Sequence, residues 1–365
     1  MSLVPTSVSV MNPHIVDLFA GPGGLDVAAR WLGVHAEGIE WDSEACKTRR
    51  EAGLVTREAD VRQFQPADFP HANVLAGGPP CQTFTVAGSG VGRSALDRVL
   101  ELVDAMGNCK DVTKHIAHFD DERTGLVLEP LRWALKALSD GEPYESIVLE
   151  QVPSVLPVWE AMGAVLRKRG YGVAVGILKA EEFGVPQTRR RAILIARLGT
   201  SAKLPAPTHQ SYRKGVPRGL GDIVLLPWNT MGDALLATRN YPFSVVSNYG
   251  TGGDPKARGI RRSDEPAFTV TGKVSRNRLI DANGTLIDRI TSAEAGRLQT
   301  FPSDFPWRGR DVAQQIGNAI PPRLGVHILA AALGRTEGID EEFFARVIDG
   351  GWHQRALSEA PAYAH

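Results

Sequence analysis

Residues 77–88 read GGPPCQTFTVAG, and they place a cysteine directly behind two prolines at the end of a strand-like apolar run. A buried structural thiol needs neither a rigid diproline before it nor a Gln-Thr-Phe-Thr turn after it. A nucleophile that must be held at one angle needs both. Cysteine is the strongest neutral-pH nucleophile among side chains, and it works when its pKa is lowered or a proton acceptor stands nearby. A later strand-like run, SIVLEQV (146–152), ends in Glu150, and VPQTRRRAILIA (185–196) delivers arginines just before another strand. A strand-end glutamate is by itself usually a solvated acid. Together, Cys81, Glu150 and the arginines suit attack on a heterocycle whose ring nitrogen must be protonated.

A second group of residues suits a ligand. In DLFAGPGGLDVAA (17–29) a strand runs into a glycine turn and then into a helix. Glycines allow close backbone approach, and a helix N-terminus offers free N–H groups. The spacing is not the GxGxxG of dinucleotide binders, and a lone glycine turn often serves only strand–helix packing. The next strand ends in Glu40, Trp41 and Asp42, and EADV (58–61) puts Asp60 at the end of a third. An acid about twenty residues after the turn takes ribose hydroxyls, a neighbouring tryptophan lies flat on an adenine, and Asp60 is placed to accept from its amino group. Each acid alone is more often a cap or turn residue. Three successive strand ends so furnished make an adenosyl pocket the better reading.

These residues need a sheet that brings strand ends to one edge. HIVDLFA (14–20), AEGIEW (36–41), ANVLAGG (72–78), SIVLEQV and RAILIAR (191–197) read as short buried strands. Helical patterns lie between them, at 25–32, 123–140 and 155–170. This alternation predicts an α/β fold with a doubly wound, mostly parallel sheet, in which ligands bind outside the carboxyl ends of the strands. The pattern fails after residue 198, where Pro, Gly and basic residues dominate to about 288. Helical spacing resumes at 291–299 and 321–335. We therefore expect a catalytic and cofactor-binding domain over 1–198, a small irregular inserted domain over 199–288, a return over 289–335, and a C-terminal helix and tail over 336–365.

The chain has 365 residues, 43% hydrophobic and 22% charged, as in ordinary globular proteins. No apolar run is long enough for a bilayer, and the N-terminus lacks a secretory leader's basic flank and apolar core. Cys46, Cys81 and Cys109 are odd in number without CxxC pairing, against a disulfide framework or zinc site. A cytoplasmic, reducing setting is the simplest reading. The net charge is zero, yet Arg189–Arg278 holds sixteen Lys or Arg against five Asp or Glu, so the remainder carries the balancing negative charge. That asymmetry fits a polyphosphate partner and, taken alone, a solvated basic face equally well.

The motifs DLFAGPGG, GGPPCQTFTVAG, EQV, QTRRR, RLQTFP and QQIGNAIPP resemble, in order and spacing, those of the DNA (cytosine-5)-methyltransferase family, from about residue 14 to 333. The resemblance implies S-adenosylmethionine as cofactor, double-stranded DNA as partner, base flipping, and methylation of carbon 5. It implies that Cys81 adds to carbon 6 of cytosine. Glu150 would hold the proton on ring nitrogen 3, and Arg191 would bind the carbonyl and steady Glu150. Arg189 of the same pattern joins the catalytic group. Asp17, Phe19, Gly21, Gly23, Gly24, Leu25, Glu40, Trp41, Asp60, Val61, Pro80 and Asn318 would line the cofactor site. It further implies a bacterial or phage-encoded enzyme of the restriction-modification kind, a monomer with no obligate protein partner.

Two departures stand out. The family's Glu-Asn-Val is here Glu150-Gln151-Val152, and its Asn normally fixes the cysteine's loop, so the tightness of that loop is in question. About twenty extra residues lie between 93 and 120. Cys109, His115 and His118 there are irregularly spaced and lack a fourth partner, so no metal site is expected. Within the inserted segment, GTGGDPKARGIRR (250–262) and FTVTGKVSRNR (268–278) carry types that bind phosphates and base edges, although for any one residue a phosphate contact is the plainer reading. The same chemistry on RNA and a non-catalytic DNA-binding relative are the alternatives. GGPPCQ lacks the Asp or Asn before Pro-Pro of amino-directed methyltransferases, and a nicotinamide oxidoreductase leaves the cysteine unexplained.

Overall fold

A computed structural model describes residues 9–80, 90–112, 115, 122–250 and 258–352. Among them a large sheet is built from β1 (His14–Leu18), β2 (His35–Glu40), β3 (Val55–Glu58), β4 (Val74–Gly77), β5 (Ser146–Gln151), β6 (Tyr171–Lys179) and β7 (Arg190–Leu198), in the order β3-β2-β1-β4-β5-β7-β6. The strands β1 to β5 pair in parallel, and β7 runs antiparallel between β5 and β6. The helices are α1 (Gly24–Trp31), α2 (Ser43–Glu51), α3 (Gly90–Gly107), α4 (Glu122–Leu126), α5 (Glu129–Asp140), α6 (Leu156–Lys168), α7 (Met231–Leu235), α8 (Ser292–Leu298), α9 (Val312–Asn318), α10 (Pro322–Leu333) and α11 (Glu341–Asp349).

Strand periodicity divides the apolar residues between two cores. Val16, Leu75, Ile147, Leu149 and Leu194 face one way, with Trp133 of α5 and Trp159 of α6. Their neighbours Ile15, Val74, Val148 and Ile193 face the other, with Val27 of α1, Leu324 and Ile328 of α10, and Phe344 of α11. Burial on both faces is why these strands read as continuous apolar runs. No helix among the described residues is long and apolar enough to cross a membrane.

Three differences from the sequence reading have local causes. The helix expected over 123–140 is two, α4 and α5, because Pro130 lies in the first turn of α5, where its missing N–H costs nothing but a continuous helix is broken. The edge strand β6 escaped notice because it is only half-buried and carries Gly172 and Gly176. The third strand ends at Glu58, so Asp60 lies two residues beyond it and caps a short 3-10 turn, accepting from Arg62 N–H.

The basic segment holds an antiparallel sheet of β8 (Ser244–Gly250), β9 (Arg258–Arg262), β10 (Arg278–Ile280) and β11 (Leu286–Asp288), ordered β11-β10-β8-β9. Its core joins Met231, Phe243, Val245, Val270 and Leu279 to Ala295 and Leu298 of α8 and Ile316 of α9. The packing of the small sheet thus continues past residue 288 into the returning helices.

Candidate active site

Register brings the chemistry to one edge. Leu18 of β1 pairs with Gly77 of β4, and Gly77 pairs with Leu149 of β5, so these strands finish together. The reversed β7 starts at that edge, with Ala192 opposite Gln151 and Ile193 opposite Glu150. Arg191 therefore emerges beside Glu150, and its Nε stands 2.7 Å from Glu150 Oε1, both side chains largely buried. Burial pulls the Arg191 guanidinium below its ordinary value, and the Glu150 carboxylate pushes back. Gly78 follows β4, and a Cβ there would lie 3.5 Å from Glu150 Oε2. The diproline loop thus begins against the glutamate.

Gln151 resolves the first sequence departure. Its Nε2 donates to the Pro79 carbonyl at 2.7 Å, while its Oε1 accepts from Val152 N–H at 2.5 Å. The extra methylene is taken up by this fold-back, and the side chain still ties down the loop two residues before position 81. Cys81 itself lies outside the described residues, as does His118. Of the other thiols, Cys46 is buried, donates to the Glu40 carbonyl at 3.4 Å, and is pushed up to about 12 by burial and then by Glu40 and Glu58. Cys109 is exposed and receives an N–H from Arg169 at 3.3 Å. Burial and the raised pKa leave Cys46 unsuited to nucleophilic attack. Among the described residues no group of three or more His, Cys, Asp or Glu could hold a metal ion.

Arg189 is placed differently from Arg191. It is fully buried and donates to the carbonyls of Val270, Gly317 and Ala319 at 3.0, 3.0 and 2.9 Å. Burial, then Arg191, holds its pKa well below the ordinary value. It joins the start of β7 to the core beneath the small sheet and to the end of α9, an attachment that the QTRRR spacing does not reveal. Gln187 and Gln299 extend the joint. Gln187 Nε2 donates to Leu298 O and Gln299 Oε1, and its Oε1 accepts from Val270 N–H. Both glutamines sit inside motifs recognised from sequence, but only their zero exposure identifies them as structural links.

The cofactor candidates occupy the neighbouring strand ends. After β1, Phe19 adopts φ +63° and the chain turns through Gly21 at +56° and Gly23 at +104° into α1. Space beside Gly21 is open. Against Gly24 and Leu25 at the start of α1 packs the segment before α10, close enough that a Gly24 side chain would strike the Ile320 carbonyl. That contact carries Asn318 toward the turn; its Oδ1 accepts from Gln314 Nε2 at 2.8 Å. Glu40 Oε2 accepts from Gly21 N–H at 2.7 Å, and Oε1 accepts from Trp41 and Asp42 N–H at 2.9 and 2.7 Å. Burial raises the Glu40 pKa while those N–H groups oppose it. Trp41 is 58% exposed. Hydrogen bonds from Arg62 lower the pKa of Asp60, whose neighbour Val61 is buried. A bare indole, a fixed carboxylate and an open glycine turn fit a flat base with a hydroxyl-bearing sugar.

Asp17 is the last residue but one of β1. It is 2% exposed, its Oδ1 lacks a hydrogen-bond partner among the described residues, and burial followed by the charge of Asp26 raises its pKa well above 3.8.

Comparison with known proteins accords with this geometry. The chain matches the family model described as C-5 cytosine-specific DNA methylase over residues 14–100 and 119–333. The unmatched interval begins inside α3 and falls where the sequence carries extra residues. The type II methyltransferase M1.HphI of Haemophilus parahaemolyticus is 27% identical over 363 residues, covering 88% of this chain and 87% of that protein. M.NgoFVII of Neisseria gonorrhoeae is 28% identical over 372, covering 88% and 86%. The crystal structure of S. pombe Dnmt2 methyltransferase shares the fold, with a TM-score of 0.62 at 18% identity over 89% of this chain and 99% of that one.

Proposed function

The chain belongs to the C-5 cytosine-specific DNA methylase family, and from that premise we propose how its residues divide the work of methylating cytosine in DNA with S-adenosylmethionine as methyl donor. The observation that carries the assignment is the Glu150–Arg191 pair, 2.7 Å apart, against the start of the diproline loop. The target base is swung out of the duplex into this edge, at an unstacking cost of a few kcal/mol. Cys81, as thiolate, bonds to carbon 6. Glu150 holds the proton at ring nitrogen 3, so the electrons displaced from the 5,6 double bond collect as a neutral enamine rather than an anion. Arg191 orients Glu150 and donates to the base carbonyl. Once carbon 5 carries the methyl group, loss of its proton and departure of the thiolate restore the aromatic ring.

S-adenosylmethionine, when bound, supplies an electrophilic methyl group. Phe19, Gly21, Gly23, Gly24, Leu25, Glu40, Trp41, Asp60, Val61, Pro80 and Asn318 would hold it. Gln151 steadies the Cys81 loop, and Arg189 positions the small domain rather than touching the base. The small sheet, with Arg258, Lys273, Arg276 and Arg278, reads the DNA site, and the enzyme acts as a monomer without an obligate protein partner. The bacterial relatives favour a cytoplasmic setting. Bisulfite sequencing of DNA from cells expressing the protein tests the assignment: protected cytosines in one sequence context are expected, and uniform conversion would overturn it.

A further inference from the structure

The strand ends that carry the cofactor groups are joined beneath the surface by one side chain. Arg49 leaves α2 fully buried. Its Nη1 and Nη2 donate to Asp26 Oδ2 and Oδ1 at 2.8 and 2.7 Å, in the first turn of α1. Its Nη2 also donates to the Val55 carbonyl at 3.0 Å, and its Nε to Thr56 Oγ1 at 2.9 Å, both on β3. Between these anchors it passes β2 at Gly38, where a Cβ would collide with the guanidinium and with the Ala20 side chain. Removing two charges from water largely offsets their attraction, so a buried pair adds little net stability over apolar residues of the same size. A planar, bidentate fork adds direction instead, fixing the angle between the groups it bridges.

We propose that Arg49 is a positioning residue for the cofactor cleft, holding α1, the end of β2 and β3 in the one arrangement that lets Gly21, Glu40 and Asp60 meet a single adenosyl ligand. The proposal rests on the cofactor reading above. It is tested by calorimetric titration of S-adenosylhomocysteine into the DNA-free enzyme, alongside steady-state kinetics. Arg49→Lys, which keeps the charge but loses the fork, should weaken binding on the order of tenfold or more, as loosened support of a site does. KM for S-adenosylmethionine should rise in parallel, while kcat at saturation and KM for DNA stay near wild type. Thr56→Val, which removes the Nε acceptor together with the hydroxyl's own bond to the Leu54 carbonyl and keeps a β-branched side chain of the same size, should weaken binding severalfold. Ser146→Ala, which deletes hydrogen bonds to Ala196 O of β7 and Ala332 O of α10 at the start of β5, should lower the melting temperature without moving affinity. Unchanged affinity in Thr56→Val, or a fall in kcat without a change in affinity, would overturn the positioning role. Glu40→Ala is the separate check: if it too binds normally, the cofactor reading fails rather than this proposal alone.

Discussion

The two sheets solve different problems with different surfaces. In the large sheet the central strands β1, β4, β5 and β7 are buried on both faces, and Glu150, Gln151 and Arg191 at their ends are tied to backbone or to a neighbouring side chain. In the small sheet β9 and β11 are mostly exposed, and of the β9 arginines Arg262 is exposed while Arg258 and Arg261 are half-buried. A reacting centre must be held to fractions of an ångström, whereas phosphate contacts tolerate looser geometry and set register rather than chemistry. The two regions share one buried joint, in which Gln187, Arg189 and Gln299 connect β7, the small-domain core and α9.

That contrast predicts where substitutions act on rate and where on sequence choice. Glu150→Gln should lower kcat by about 10² to 10⁴, the range for loss of a general acid, with DNA affinity little changed; an undiminished rate in single-turnover assays would remove Glu150 from the reaction. Exchanging residues 199–288 for a relative's segment should redirect methylation to another sequence, read by bisulfite sequencing, with kcat retained. Since the small-domain core runs into α8 and α9, the chimera should fold only if apolar residues are kept at 231, 270 and 279, facing Ala295, Leu298 and Ile316. An unchanged target site would place specificity elsewhere.

Smaller effects sharpen the picture of the rigid half. Gln151→Ala should lower kcat by roughly threefold to tenfold, the worth of one hydrogen bond, and Gln151→Asn should restore most of it. Asn as poor as Ala would show that the surroundings have adapted to the longer side chain. Asp17→Asn tests the buried acid. Because the folded-state pKa of Asp17 is raised above 3.8, its favourable contribution is complete at low pH and is lost as pH rises through the raised value. The variant should therefore gain on wild type by a few degrees in melting temperature as pH rises above about 4. A difference that does not vary with pH would mean that Asp17 titrates normally.

The sequence was informative where chemistry and backbone geometry coincide. Strand ends at Leu18, Glu40, Gly77 and Gln151 were legible because apolar runs stop there at glycine, proline or acid. The pairing of Glu150 with Arg191 was implied by the family resemblance alone, and the antiparallel register of β7 beside β5 supplies its physical reason. Arg189 was misleading: it lies just before β7, and its bonds to the carbonyls of Val270, Gly317 and Ala319 leave no trace in the QTRRR spacing. Arg49 and Asp26 carry no local signal: they lie 23 residues apart on two helices, and only the missing side chain at Gly38 hints that something passes there. The edge strand β6 and the reach of the small-domain core past 288 depend on tertiary packing, which alternation along the chain does not encode.

The central claim is that Cys81 bonds to the base while Glu150 and Arg191 hold it, and covalent trapping tests it most directly. A duplex with 5-fluorocytosine at the target position permits addition and methyl transfer but not elimination, because fluorine does not leave as a cation. The expected product is an enzyme–DNA adduct stable to heat and detergent, formed only with S-adenosylmethionine, mapped by peptide analysis to Cys81 and absent from Cys81→Ala. A crosslink on Cys46 or Cys109, or an undiminished adduct in Cys81→Ala, would contradict it.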